Sequence, residues 1–191
     1  MFEKIVTEKF LADLARTLKG TLNKDQGNAV RLLAREADLA GITDRNKFAY
    51  ILATCWHECR YKSIPEIRAK PGTQVCKWQN VYWPSGYYGR GFSQLTWRRN
   101  YRKFSKIVGV DLVRYPDKAL VPEIGAKILV VGMNEGLFSG VGLSKYFPEK
   151  PGVPDWIKAR GIVNGNFQAE IVAAHAIKIL SVIVSNTGTI S

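Results

Sequence analysis

The sequence has few of the residues that build metal and redox sites, with three cysteines and two histidines among its 191 residues. It contains neither a CxxC pair nor an HExxH pattern, so we expect no metal site and no cofactor. Cys55, Cys59 and Cys76 form an odd set, and the first two lie one helical turn apart. Reduced thiols are the default expectation, and a pairing of Cys76 with Cys55 or Cys59 under oxidising conditions stays open.

Acidic residues are also scarce, because 16 Asp and Glu stand against 28 Lys and Arg and leave a net charge of +12. An excess of this size predicts an anionic partner: nucleic acid, a membrane surface or an acidic polymer such as a bacterial cell wall. The basic residues are spread along the chain, and no Lys/Arg tract is typical of a nucleic-acid-binding arm. We therefore do not expect nucleic acid to be the partner.

The sequence also lacks the usual export and membrane-spanning patterns. Its first twenty residues include Glu3 and Glu8 and contain no seven-residue apolar core, so we expect no secretory signal. The most apolar stretch, residues 169–185, is interrupted by three ionisable side chains. We interpret it as a buried C-terminal helix that is too short to cross a bilayer, and we expect no transmembrane segment.

What the sequence does contain predicts one domain over residues 1–191, of the α+β class and mainly helical. Apolar residues recur at helical spacing over residues 1–60 and again over 98–191. Residues 61–97 lose that period and contain several glycines, so we expect a small non-helical insert of short strands and turns there.

Three helices are predicted in the N-terminal part. The first covers residues 6–19 and stops at Gly20, and the second covers residues 25–39. Asp44 is a suitable N-cap for the third, and Pro65 ends it at the latest.

Glu58 lies near the end of the third helix. On a helical wheel it falls on the shoulder of the apolar stripe that contains Ile51 and Cys55, not on the solvent-facing side. Partial burial and the negative end of the helix dipole both favour the protonated form of a carboxyl group in that place. A general acid needs such surroundings, although an ordinary ion pair with Arg60 or Lys62 would explain the same position.

Glu66 follows eight residues later, and Pro65 prevents one continuous helix from carrying both glutamates. The chain can therefore turn and bring Glu66 across a cleft from Glu58. Inverting glycosidases hold two carboxyl groups roughly 6.5–9.5 Å apart, with a water molecule between. An ionised Glu66 on a loop would suit the role of base, and a solvated surface charge beside Arg68 and Lys70 is the alternative.

The insert is rich in aromatic residues, since eight of the chain's 21 lie within residues 77–101. An insert of this size cannot bury all of them. Exposed rings beside amide and hydroxyl groups suit sugars, which offer apolar faces and polar edges. The same mixture could stack nucleobases, or half of these rings could belong to the core.

Several segments then occur in an order that resembles the family-19 glycoside hydrolases, and most of all their phage endolysin and lysozyme-like members. They are "HE" at the end of a helix, "YYGRGFSQLTWRRNY", "PEIGAKILVVGM", "GLFSGVGLSKYF" and "ARGIVNGNF". The resemblance covers roughly residues 25–185 and implies a lysozyme-like helical fold. Two features depart from the family pattern: the long loop between the two glutamates of chitinases is missing, and "CRYKS" follows "HE".

The resemblance also implies roles for individual residues. Glu58 would be the general acid, Glu66 the base or stabilising carboxylate, and Thr96 the hydroxyl that holds the attacking water. Because the long loop is missing, Glu66 is assigned by its proximity to Glu58 and not by a matched motif. The residues expected at the substrate are Tyr88, Arg90, Gln94, Trp97, Asn100 and Asn164, with Arg90 bracing the site from beneath the loop.

The function implied by the resemblance is that of an endolysin, which cuts β-1,4 bonds of bacterial peptidoglycan without a cofactor. We expect a monomer that is made in the host cytoplasm, is released by a partner holin and acts on the periplasmic wall. A chitinase of the same fold is the nearest alternative. A non-catalytic glycan-binding or virion protein and a nucleic-acid-binding module are the others.

Overall fold

The structure is a computed structural model that describes residues 1–148 and 152–187, so residues 149–151 and 188–191 of the predicted C-terminal part lie outside the described residues. Helices dominate the described chain. They are α1 Phe2–Ile5, α2 Glu8–Thr17, α3 Lys24–Leu39, α4 Arg45–Cys59, α5 Gln74–Gln79, α6 Arg98–Val108, α7 Pro122–Asn134, α8 Leu143–Tyr146 and α9 Ala169–Thr187. Short 3-10 turns lie at Trp83–Ser85, Pro116–Leu120 and Lys158–Ile162.

The predicted N-terminal helices are present, and their caps explain where they begin. Thr7 accepts a hydrogen bond from the amide of Phe10 and starts α2 within the stretch predicted as residues 6–19, whereas α1 lies before that stretch and was not predicted. Asn23 closes a capping box at the start of α3. Asp44 caps α4 as the sequence predicts, by accepting bonds from the amides of Asn46 and Lys47.

Helix α4 is the centre of the fold. Its residues from Phe48 to Trp56 are all buried, with α9, α3 and α7 packed around it. The main hydrophobic core joins these four helices to α1 and α2. A smaller cluster under the start of α6 includes Leu95, Tyr101 and Phe104. Burial of both clusters fixes the end of α4 beside the start of α6.

The insert differs from the prediction. The described residues contain no strand, and the isolated bridge between Pro65 and Arg90 is the β-structure found there. Around it the amide of Glu66 donates to the carbonyl of Gly89 at 2.7 Å. Thr73 caps α5 within the stretch predicted as strands and turns. The mainly helical prediction is confirmed, whereas the β part of the α+β prediction is not, because only these few bonds pair the two segments.

Helix α9 is only half a core helix. Its inner face is buried at Val172, Ala176 and Ile179, whereas Ile171 and Ile177 on its outer face are about half exposed. With 19 residues and a mean hydropathy of 1.4, it is long and apolar enough to cross a membrane, and 39% of that window is buried in the protein. The prediction that this stretch is too short to cross a bilayer is therefore wrong, since 19 helical residues extend about 28 Å.

All three cysteines are buried free thiols. The sulfur atoms of Cys55 and Cys59 lie 3.8 Å apart on α4, one turn from each other. Burial, together with the neighbouring Cys59, raises the pKa of Cys55 well above its ordinary value. Cys76 lies on α5 in the insert. The default expectation of reduced thiols, and a pairing of Cys76 under oxidising conditions, stay predictions.

Candidate active site

A cavity of about 550 Å³ lies where the end of α4, the insert and the start of α6 meet, and we call it the central cavity. Seven of the nine site residues predicted from sequence line it: Glu58, Glu66, Gln94, Thr96, Trp97, Asn100 and Asn164. Tyr82, Ser93, Leu95, Phe138 and Val163 complete the lining. Residues that are up to about a hundred positions apart in sequence thus share one cleft.

Glu58 faces the cavity from the last turn of α4. After Cys59 the chain reverses through Arg60 and Tyr61, which both adopt left-handed backbone angles, with φ of 55° and 58°. This reversal carries the following loop back towards α4 and lets Glu66 reach the same cavity. The prediction that Pro65 allows the two glutamates to share a cleft is thereby supported.

The ion-pair partner of Glu58 is neither Arg60 nor Lys62, the two neighbours considered from sequence. Arg160 Nη1 lies 2.7 Å from Glu58 Oε1, with side-chain exposures of 1% for Arg160 and 15% for Glu58. Arg160 Nε also donates to the carbonyl of Phe167 at 3.0 Å, which fixes its position. The guanidinium of Arg160 therefore places a buried positive charge beside the carboxyl group of Glu58. The sequence did not indicate that Arg160 would lie beside Glu58.

His57 lies beside this ion pair and is half-buried. Burial and the charge of Arg160 lower its pKa from the ordinary value of 6.5, and the carboxylate of Glu58 opposes them. His57 is therefore neutral at pH 7, and Arg160 is the cation that accompanies Glu58 there.

Glu66 lines the same cavity and is held by three donors. Its Oε1 accepts bonds from the Tyr82 hydroxyl at 2.6 Å and from Gln79 Nε2 at 3.0 Å. Its Oε2 accepts a bond from the amide of Gly89 at 2.9 Å. Burial and the adjacent Glu66 carboxylate raise the pKa of Tyr82, so the phenol keeps its proton and remains a donor. These bonds hold the carboxyl group of Glu66 in a fixed position, unlike the solvated surface charge of the alternative interpretation.

Gly89 permits the close approach of Glu66 and Gln94. A Cβ atom at this position would lie 2.8 Å from Gln94 Oε1 and 3.2 Å from Glu66 Oε2. Gln94 itself has a φ of 50°. Its side-chain nitrogen, Nε2, donates to the carbonyls of Ile64 and Gly91. The first glycine of "GRG" is therefore needed because a side chain at this position would collide with Gln94 and Glu66. The sequence alone indicated only that the segment is not a phosphate-binding pattern.

Thr96, Trp97 and Asn100 form the wall at the start of α6. The Thr96 hydroxyl donates to the carbonyl of Gln94 at 2.8 Å, and Asn100 Nδ2 donates to the carbonyl of Thr96 at 2.8 Å. Trp97 packs edge-on against Tyr82 with ring centres 5.3 Å apart and remains 39% exposed. An exposed indole beside fixed polar groups is the arrangement that the aromatic insert led us to expect for a sugar ring.

Tyr88 and Arg90, which we expected at the substrate, are not part of the cavity lining. Arg90 is buried, and its guanidinium donates to the carbonyl of Gly86 and the hydroxyl of Tyr101 and pairs with Asp117 at 2.8 Å. The ring of Tyr88 lies under that guanidinium at 3.9 Å. Arg90 thus lies beneath the loop as a brace and does not line the cavity, and a role for it at the substrate stays a prediction.

Sequence reasoning missed several residues of the site. Arg160, Gln79 and Tyr82 hold the two glutamates, and Phe138 closes one wall. Arg160 stands in the segment "ARGIVNGNF", which was noted only for Asn164. Gln79 and Tyr82 stand among the insert's polar and aromatic residues. No local pattern could pair them with a particular glutamate, because each contact depends on the fold.

Among the described residues, no group of three or more His, Cys, Asp or Glu side chains is arranged to hold a metal ion. The site as described therefore consists of two carboxylates with their hydrogen-bonding and ionic partners. Such a pair can donate and accept protons on opposite sides of a bound sugar.

No protein-family model matches the sequence, and none of the curated proteins matches it. Among solved structures, the chain is similar to chitinase C from Streptomyces griseus HUT6037, with a TM-score of 0.59 and 19% sequence identity. The match covers 97% of this chain and 93% of that chain. The chain therefore has a chitinase-like fold over nearly its whole length, as the resemblance to family-19 glycoside hydrolases implied.

Proposed function

We propose that this protein is an endolysin that hydrolyses β-1,4 glycosidic bonds of bacterial peptidoglycan. The observation that carries the proposal is the presence of Glu58 and Glu66 in one central cavity, each with its own set of partners. The likeness to a chitinase supports chemistry on a glycan built of amino sugars.

Glu58 is the general acid in this proposal. Its carboxyl group carries the proton that is donated, and Arg160 holds that group in position. The proton then passes to the glycosidic oxygen as the bond to the leaving sugar breaks and an oxocarbenium-like transition state forms.

Glu66 and Thr96 position the attacking water. A carboxylate offers about four lone-pair sites, and three donors occupy three of those of Glu66, so one remains on Oε2. The Thr96 hydroxyl donates to the Gln94 carbonyl, which leaves its oxygen free to accept a bond from water. A water that donates to both atoms has its lone pair directed into the cavity, and Glu66 removes its proton during attack.

The choice of peptidoglycan over chitin depends on charge. A net charge of +12 favours an anionic polymer, and chitin is neutral. In the proposed role the protein is a monomer made in the host cytoplasm, released through a holin and active on the periplasmic wall. No nucleic acid or transmembrane anchoring is part of this proposal.

The test is clearing of outer-membrane-stripped Gram-negative cells by wild type, Glu58→Gln and Glu66→Gln, with colloidal chitin assayed in parallel. We expect wild type to clear the cells and Glu58→Gln to lose activity by about 10²–10⁴-fold, because a general acid contributes this much. Glu66→Gln should lose activity as well. Circular dichroism of each variant checks that it is folded.

The outcomes separate the alternatives. Cleavage of chitin without clearing of cells would replace the proposal with a chitinase, which the fold likeness favours as the second candidate. Clearing by a folded Glu58→Gln protein at the wild-type rate would exclude the proposed mechanism. Binding of cell walls without turnover by wild type would indicate the non-catalytic glycan-binding protein.

A further inference from the structure

Helix α6 is strongly basic and contains no acidic residue, with basic side chains at Arg98, Arg99, Arg102, Lys103 and Lys106. Among residues 1–148 and 152–187, none of these five has a carboxylate within ion-pair distance. Two of them occupy the first turn, where the positive end of the helix dipole disfavours cations. Within the described ranges, these five side chains thus have no carboxylate partner.

Two of the five basic residues lie nearest, around the helix, to the α6 residue that lines the central cavity. Asn100 is that residue, and at 3.6 residues per turn Lys103 and Arg99 lie about 60° and about 100° from it, on the side away from the core. Both side chains are exposed. Lys103 Nζ donates to the carbonyl of Leu137 at 2.6 Å, and the next residue, Phe138, also lines the cavity. The Lys103 ammonium group therefore lies at the cavity's edge.

Arg98 and Arg102 lie on another side of the same helix. Helical register places them roughly 160° from Asn100, and the Arg98 guanidinium lies over the ring of Tyr87 at 6.0 Å. Both are exposed and, like Arg99 and Lys103, are outside the cavity lining, but they lie farther than these two from Asn100 around the helix. They serve as a matched control, since they carry the same charge on the same helix without facing the cleft.

We propose that Arg99 and Lys103 form a basic rim that binds carboxylate groups carried by the glycan strand in the central cavity. This inference rests on the proposed function and adds the recognition of the substrate's charge to it. In peptidoglycan every second sugar bears a lactyl ether, and carboxylates lie on that group or on the peptide stem attached to it. Chitin has no such groups, so the rim distinguishes the two polymers.

The rim is exposed to solvent, so it acts on binding and not on the chemical step. Exposed ion pairs are individually weak and are screened by salt within about 10 Å at 0.1 M ionic strength. We therefore expect the rim to lower KM and to leave kcat unchanged. Its contribution should disappear at high ionic strength.

The test compares wild type with two charge-reversed proteins, Arg99→Glu/Lys103→Glu and Arg98→Glu/Arg102→Glu. Both pairs change the net charge by the same amount, so any difference between them reports position. The substrates are soluble peptidoglycan strands and the same strands with their carboxylates converted to neutral amides. We expect Arg99→Glu/Lys103→Glu to lose about tenfold in kcat/KM on the native strands at low salt, through KM.

On the amidated strands, wild type and Arg99→Glu/Lys103→Glu should become equal, because no carboxylate remains for the rim to bind. Arg98→Glu/Arg102→Glu should behave as wild type on both substrates. The milder Arg99→Gln/Lys103→Gln protein guards against misfolding of the charge-reversed one and should show a smaller loss in the same direction.

Equal losses for the two charge-reversed proteins would overturn the inference and leave the proposed function intact, since only general electrostatics would remain. A wild type that hydrolyses neither substrate would instead overturn the proposed function. Inhibition by a DNA duplex that depends on Arg99 and Lys103, with unchanged hydrolysis of both strands by the variants, would show that the rim binds nucleic acid and not the glycan.

Discussion

Arg160 and Glu58 meet at the centre of the site, and their burial determines how a substitution of either acts. The guanidinium is fully enclosed, whereas the carboxyl group keeps some access to the cavity. In such surroundings the loss of one partner costs more than the pair contributes, because the remaining charge is left desolvated. The pair therefore belongs to both stability and function.

Arg160→Met should lower the free energy of unfolding by about 3 kcal/mol, the lower end for a broken buried pair, because Glu58 retains some solvent. Urea denaturation measures this change. Lys158→Met is the control: Lys158 pairs with Asp155 at 3.1 Å on the surface, where solvent screens the charges, so its loss should have little effect on the free energy of unfolding. Equal effects of the two substitutions would contradict the assigned role of Arg160.

A glycine of α7 packs against a residue of the cavity wall. Gly132 lies opposite Phe138, and a Cβ atom there would lie 2.4 Å from two carbons of its ring and 3.0 Å from Phe104. Phe138 in turn forms part of the cavity wall. The packing of α7 against α6 therefore controls the width of the cavity at this wall.

Gly132→Ala should destabilise the protein by about 1–3 kcal/mol through overpacking and should raise KM, because Phe138 is pushed towards the cavity. Thermal unfolding and steady-state kinetics on the glycan measure the two effects. At Gly20 a Cβ atom would have its nearest neighbour, a ring carbon of Trp56, at an ordinary 3.4 Å, so Gly20→Ala should leave KM unchanged. An unchanged KM in Gly132→Ala would show that Phe138 yields without moving into the cavity.

The elements themselves were predictable to different degrees. Helices α3, α4 and α6 follow the apolar spacing and the stop residues read from the sequence. Helix α5 escaped prediction because six residues are too few to show a period. The strands expected in the insert are reduced to one bridge, since Gly89 and its neighbours contact side chains instead of extending a ladder.

At the scale of the whole molecule, two half-buried histidines make stability depend on pH. Burial lowers the pKa of both His57 and His175 from 6.5, helped by Arg160 for the first and by Arg60 for the second. A lowered histidine pKa means that the unfolded chain binds protons more readily. Their contribution to stability is therefore complete above about pH 6.5 and is lost as the pH falls through the folded-state pKa values.

The free energy of unfolding should thus fall between pH 7.5 and pH 5, and it should fall less in a His57→Gln/His175→Gln protein. Urea denaturation across this range measures the difference. Burial raises the pKa of Glu36, which makes stability depend on pH in the opposite direction. Both proteins contain Glu36, so this effect cancels in the comparison. The same slope in both proteins would show that other groups cause the dependence.

The sequence by itself determined the helical class, the position of Glu58 at the inner edge of α4 and the positive charge, because periodicity and composition are local properties. The tertiary structure alone decided that Arg160 is the partner of Glu58 and that Tyr82, Gln79 and Gly89 fix Glu66. It also shows that Tyr88 and Arg90 do not line the cavity. These contacts join segments far apart in the chain, and no spacing in the sequence encodes which of several similar side chains the fold brings to 3 Å.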